Sequence, residues 1–357
     1  MGLINANKQS SLDQKIHLLL EAGVERHKKG EFAAANLVYE EIRKLDPRNA
    51  VALQLSGVLA NQFGQQETSI TLLTRAISLQ PDYVEALNNR GIVLKQLGQL
   101  NEALKDYNKA IKLRPNFADA FYNRGIILQD LNRFDEALAD FGTAISLKPD
   151  MLKALNNRGL LLKKLELFDD ALKDFSKILS VDVTNVEAFN NRGIILEKLG
   201  QPENAVADYN NAIQVNPKYV EALNNRGLIY AQTGCHQKAI NDFDAVLCIE
   251  PSSFEALNNR GNVLKEQNQL HKALVDYSQA IAIHPNYIDA LNNRGVVYQK
   301  LRQFSEALED FGKVLSLNPN DLETINNRGV VHKELGLYDE ALADYDKAIS
   351  LNPKYAE

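Results

Sequence analysis

Eight arginines of this chain, Arg90, Arg124, Arg158, Arg192, Arg226, Arg260, Arg294 and Arg328, each have an aspartate sixteen residues further on: Asp106, Asp140, Asp174, Asp208, Asp242, Asp276, Asp310 and Asp344. A guanidinium and a carboxylate are shaped for two parallel hydrogen bonds, so the chemistry of this pairing is an ion pair. Earlier in the chain both partners vanish together, Ala22 with Val38 and Ser56 with Leu72. Joint presence and joint absence point to a bridge between two helices, either inside one structural unit or across to its neighbour, with a structural role. Immediately before each arginine stands an asparagine: Asn89, Asn123, Asn157, Asn191, Asn225, Asn259, Asn293 and Asn327. A primary amide donates and accepts, so a regular row of them can pair with the backbone of an extended peptide whatever its sequence.

Other chemistry is poorly provided for. The six histidines, His17, His27, His236, His271, His284 and His332, are scattered without ligand spacing or a recurring carboxylate partner. Cys235 and Cys248 are too few for a disulfide framework and lack zinc-ligand company, which suits a reducing cytoplasm. No phosphate-cradling glycine loop and no nucleophile motif occurs, so no catalytic residue, cofactor or metal is assigned and the protein is read as not an enzyme. The formal net charge of −6 argues against a nucleic-acid binder, which needs a basic stripe. No run of eighteen apolar residues is present, so no membrane span is expected.

What positions the asparagines and arginines is a repeat. Gly23, Gly57, Gly91, Gly125, Gly159, Gly193, Gly227, Gly261, Gly295 and Gly329 fall at a constant spacing of 34 residues. In the same frame alanine recurs from Ala103 to Ala341, each followed four residues later by Tyr or Phe, and proline recurs from Pro115 to Pro353 with Val183 as the one break. Within residues 84–117, Leu87, Gly91 and Leu94 share one helical face, and Ala103, Tyr107, Ala110 and Ile111 share a second. Two amphipathic helices per repeat follow, with Gly98 at the turn and Pro115 ending the second helix because it lacks an amide donor. Asn116 is placed to cap the next helix, as are Asp150, Ser252, Asn286 and Asn320. One such pair offers roughly eight apolar side chains at about 1.5–3 kcal/mol each against about 1–2 kcal/mol of backbone entropy per residue, so a single pair cannot fold alone. Stacked pairs can.

These residues resemble the tetratricopeptide repeat, a 34-residue helix–turn–helix with small residues at the glycine and alanine positions, an aromatic on the second helix and a terminal proline. The large residue that opens the family pattern is here Leu or Phe, and there is no Trp. The resemblance implies an all-α fold, an α-solenoid or right-handed superhelix of ten units. It also implies that the asparagine row, Asn89 to Asn327, lines the concave groove and binds peptide, similar to the asparagine ladder of O-linked N-acetylglucosamine transferase superhelices. The carboxylate clamp of some members would need basic residues in the groove. The corresponding row here is Glu85, Asp119, Glu187, Glu221, Glu255, Asp289 and Glu323, with Lys153 as the exception, and it would repel a terminal carboxylate. An aliphatic row, Ile92, Ile126, Leu160, Ile194, Leu228, Val296 and Val330, interrupted by Asn262, either edges the groove or belongs to the core between repeats.

The expected organisation is a polar N-terminal tail over 1–15, two divergent repeats over 16–83 and eight near-uniform repeats over 84–355, one continuous solenoid. Leu20-Glu21 and Gln54-Leu55 replace the asparagines in the divergent repeats, and Ser69 replaces the alanine. Ala356 and Glu357 read as the start of an eleventh repeat, leaving Leu342, Tyr345 and Ile349 without their cover and suggesting either homo-oligomer formation or a longer protein. The expected partner is a protein or an extended, neutral-to-basic peptide. Two other readings share this pattern: the substrate-binding arm of a glycosyltransferase, and a structural protein that assembles end to end.

Overall fold

The computed structural model describes residues 2–353. Among the described residues, twenty helices form ten packed pairs. They fall into two compact units, Met1–Val181 and Asp182–Glu357. The first holds α1 (Gly2–Lys28), α2 (Phe32–Leu45), α3 (Ala50–Gln62), α4 (Gln66–Leu79), α5 (Val84–Gln96), α6 (Leu100–Leu113), α7 (Ala118–Asp130), α8 (Phe134–Leu147), α9 (Leu152–Lys164) and α10 (Phe168–Val181). The second holds α11 (Val186–Lys198), α12 (Pro202–Val215), α13 (Val220–Gln232), α14 (His236–Ile249), α15 (Phe254–Glu266), α16 (Leu270–Ile283), α17 (Ile288–Lys300), α18 (Phe304–Leu317), α19 (Leu322–Glu334) and α20 (Tyr338–Leu351). The sequence pattern drew no boundary inside 16–355. The division between units falls in the linker where Val183 takes the proline position.

Each odd-numbered helix packs on the even-numbered helix that follows it, through the two faces read from the sequence. Leu87, Gly91 and Leu94 of α5 and Ala103, Tyr107 and Ala110 of α6 are all buried. The core then runs across hairpins. Leu53, Ala76, Leu87, Ala110 and Ala120, from three successive repeats, form one cluster, and Leu257, Ala280, Ala290 and Val297, from two successive repeats, form another in the second unit. Within a unit each hairpin therefore completes its neighbour's core, as the shortfall of a single pair requires.

The turn between paired helices needs a left-handed residue. Gly98 supplies it with φ +73°, while Asn132, Glu166, Asn268 and Arg302 adopt it without being glycine, at φ near +60°. In the second divergent repeat the serine in place of alanine is accommodated by its own chemistry: Ser69 Oγ, fully buried, donates to the Gly57 carbonyl at 2.7 Å.

Three expectations are altered. The polar stretch assigned to a tail over 1–15 is helical from Gly2 onward, as part of α1, because nothing between Gly2 and Lys28 breaks a helix. The capping residues lie one position later than expected. Phe117 N donates to Arg114 O, Met151 N to Lys148 O and Tyr287 N to His284 O, closing a turn around the proline. That turn takes up Asn116, Asp150, Ser252, Asn286 and Asn320, so the caps are Phe117, Met151, Ser253, Tyr287 and Asp321. Side-chain caps occur at Asn49, Asn185, Ser253 and Asp321, each accepting from the amide three residues on. Finally, Ala356 and Glu357 lie outside the described residues; on α20, Leu342 and Ile349 are exposed.

Candidate functional site

All eight asparagines of the ladder sit on odd-numbered helices and are half-buried. They are not loose. Asn123 Nδ2 donates to Asn88 Oδ1 at 3.0 Å, and Asn225, Asn259 and Asn293 donate likewise to Asn190, Asn224 and Asn258 at 3.0 to 3.3 Å. The second asparagine of one repeat is thereby tied to the first asparagine of the repeat before it. Asn157 donates instead to the Tyr122 hydroxyl, which stands where that first asparagine would be. The amide orientation is settled at Asn293, because Lys265 Nζ, which can only donate, lies 2.7 Å from its Oδ1. Each tied asparagine spends one donor on its neighbour and holds its remaining polar valences in a set direction, the preorganisation that lowers the entropic cost of binding.

In the first unit these residues open onto a cleft of about 400 Å³ lined by Asn88, Asn89, Asn123, Glu85, Asp119, Lys153, Phe117 and Ile92. Its charges are already matched. Arg114 pairs with Glu85 at 2.6 Å, and Lys153 pairs with Asp119 at 3.1 Å while its ammonium sits 4.4 Å from the centre of the Tyr122 ring. Thus the basic exception in the acidic row neutralises the carboxylate one repeat earlier. In the second unit Glu187, Glu221, Glu255, Asp289 and Glu323 are exposed and form no ion pair among the described residues. Their field is felt nearby: burial pushes the Tyr219 phenol up to about 12, with Glu221 and Glu187 adding to it, and Tyr287 rises to about 12 through burial with Asp289 and Glu255. The row is therefore acidic in the second unit and balanced at these pairs in the first.

The aliphatic row divides between its two readings. Ile92 lines the cleft, whereas Ile126, Leu228 and Val296 pack against buried core residues. The interruption at Asn262 has a cause: its Oδ1 accepts from the buried Tyr277 hydroxyl at 2.8 Å.

The arginine–aspartate pairs lie within repeats, joining the odd-numbered helix to its even-numbered partner. Arg226 Nε and Nη2 reach the two oxygens of Asp242 at 2.8 and 2.6 Å, and the same fork occurs in all eight repeats. The carboxylates are almost fully buried. At Arg226 the hydrogen bond to Asp242 raises the guanidinium above its ordinary value. A third bond was not legible in the residue spacing. Nη1 of Arg90, Arg124, Arg226, Arg260 and Arg294 donates to Thr74, Asn108, Asn210, Asp244 and Ser278 on the even-numbered helix of the preceding repeat, at 2.6 to 3.1 Å. One guanidinium so ties three helices and two repeats. The available signal is a polar residue two places after most of the aspartates, but its type varies among Thr, Asn, Ser and Asp, which hides it.

No group of three or more His, Cys, Asp or Glu placed to hold a metal occurs among the described residues, and both cysteines are exposed. None of the described helices is long and apolar enough to cross a membrane.

Family models described as a TPR repeat match residues 61–98, 93–131 and 261–301, and models described as a tetratricopeptide repeat match 118–151, 186–219, 208–241, 288–321 and 323–355, together more than half of the chain. No curated protein matches it. Among solved structures, a TPR protein with an unusual peptide-binding site, YrrB, is 28% identical over 52% of this chain and 95% of its own, with a TM-score of 0.46. A tetratricopeptide repeat protein from Parabacteroides merdae is 23% identical over 70% of this chain and 98% of its own, at 0.49. The pilF protein of Pseudomonas aeruginosa, 16% identical over 59% and 96%, reaches 0.54 and shares the fold.

Proposed function

From the premise that the chain belongs to the tetratricopeptide repeat family, whose members are protein-interaction scaffolds, we propose that it holds an extended segment of a protein partner along the ladder of Asn89, Asn123, Asn157, Asn191, Asn225, Asn259, Asn293 and Asn327. The observation that carries this reading is the polar cleft onto which Asn89 and Asn123 open, with the Asn123 amide fixed by an inter-repeat bond and the flanking charges of the cleft matched. Amides at a spacing set by the repeat suit a backbone, which offers donors and acceptors whatever the side chains. The exposed carboxylates of the second unit favour neutral-to-basic sequences there.

The test separates recognition from stability. Peptides selected from a random library on the wild-type protein are measured against two double variants. Asn123→Ala with Asn225→Ala removes two ladder amides, whereas Asn190→Ala with Asn258→Ala breaks two inter-repeat bonds of the same kind from their buried side. Both doubles are expected to lose about 1–3 kcal/mol of stability. Only the ladder double is expected to bind about tenfold or more weakly, the equivalent of about 1.4 kcal/mol. Equal loss of affinity in both, or none in the ladder double, refutes the ladder as the binding row.

A further inference from the structure

Two glycines in the middle of even-numbered helices have no packing reason to be there. A Cβ on Gly91, on an odd-numbered helix, would run into Tyr107. By contrast a Cβ on Gly142 of α8 would sit 3.5 Å from Arg158 Nη1, an ordinary contact, and a Cβ on Gly312 of α18 would meet nothing within 4 Å. Glycine is a poor residue for a helix interior, so both positions give up stability without a steric return.

Their place in the repeat explains what they leave open. Gly142 and Gly312 stand sixteen residues before Arg158 and Arg328, where other repeats carry Thr74, Asn108, Asn210, Asp244 and Ser278 to accept the third arginine bond. Nη1 of Arg158 and of Arg328 accordingly donates to no acceptor among the described residues. These two arginines are also the most exposed of the eight, at 28% and 29% against 18–25% for the rest. Yet neither is free to wander, because Asp174 and Asp344 still hold the other two nitrogens. At Asp344, His332 Nδ1 adds a further contact at 3.1 Å. The result is an oriented donor aimed at a gap. Where the gap is filled by a carboxylate, Asp244 lies 2.6 Å from Arg260 Nη1, on a crevice of about 430 Å³ between successive repeats.

We propose that the notches at Gly142 and Gly312 are carboxylate-binding subsites, each receiving an Asp or Glu side chain of a protein partner at the Nη1 of Arg158 or Arg328. Asp244 is the template for the bond. The notches themselves are formed on the even-numbered helices α8 and α18, while their donors, Arg158 and Arg328, directly follow the ladder residues Asn157 and Asn327 on odd-numbered helices.

The full chain is titrated into a fluorescein-labelled hexaglutamate peptide and followed by anisotropy at low salt, with a hexaglutamine peptide as the uncharged control. The wild type is expected to bind hexaglutamate and not hexaglutamine. Gly142→Ser with Gly312→Ser supplies a built-in acceptor in both notches and is expected to weaken binding about tenfold, the scale of one charge-assisted hydrogen bond. The same double variant is expected to melt higher than wild type, since serine is the better helix residue. Adding Asn108→Gly to it opens a new notch at Arg124 and is expected to restore binding. Failure of the wild type to prefer hexaglutamate, unchanged affinity in the serine double variant, or no recovery on opening Arg124 in a protein whose circular dichroism is intact would each overturn the assignment.

Discussion

Gly91→Leu is expected to disrupt the third hairpin and to be among the most destabilising single changes in the chain. A Cβ at residue 91 would lie 2.7 Å from two atoms of the Tyr107 ring, before any further leucine atoms are placed. The ring has nowhere to go, being fully buried with Leu94, Ala103 and Ile127 around it. Overpacking of this kind costs about 1–3 kcal/mol for a modest intrusion, and a leucine at such a distance exceeds it. Because each hairpin completes its neighbours' cores, the loss spreads to α4 and α7 and not to distant repeats. Urea unfolding of Gly91→Leu, Tyr107→Ala and their combination measures it. Removing the ring makes room, so the double variant should be markedly more stable than the sum of the two losses predicts; simple additivity would contradict the clash.

Asp242→Ala is expected to cost about 3–5 kcal/mol, as does removal of one partner from other buried pairs. The Asp242 side chain is only 7% exposed and Arg226 18%, so solvent screens the pair weakly. Without Asp242 the guanidinium keeps its bond to Asn210 and its place over the Tyr230 ring, but its tie between α13 and α14 is cut. The chain contains its own control. In the second repeat Ser56 and Leu72 stand in place of arginine and aspartate, and that repeat packs as the others do. Replacing both partners, Arg226→Ser with Asp242→Leu, should therefore recover much of what either single change loses. Chemical denaturation of the three variants decides it, and a double variant as unstable as the sum of the singles would show that the pair is not coupled.

The legible part of the site came from its periodicity. The 34-residue recurrence of Gly91, Ala103, Tyr107 and Pro115 specifies two helices and the faces they bury, because side-chain direction along a helix follows directly from residue spacing. The same logic paired Arg226 with Asp242 from their joint presence and absence. It misplaced the caps by one residue because the turn around Pro115 consumes Asn116, a detail of backbone hydrogen bonding that composition does not reveal. It also missed that Glu85 in the acidic row is neutralised, since nothing in the spacing of Glu85 and Arg114 announces that they meet.

By itself, then, the amino-acid sequence determined the repeat, the helices, the small-residue contacts inside each hairpin and the positions of the asparagines and arginines. Only the tertiary structure decided how one repeat touches the next: that Asn123 is tied to Asn88, that the third nitrogen of Arg124 crosses to Asn108, and that Gly142 and Gly312 leave the same bond unmade. Contacts inside a hairpin are set by helix geometry and a short turn, which every repeat encodes locally. Contacts between hairpins depend on the offset and rotation of one stacked unit on another, and that quantity belongs to no single repeat. Residue types at such positions can vary, as Thr74, Asn108, Asp244 and Ser278 do, because any acceptor at the right place satisfies the same donor.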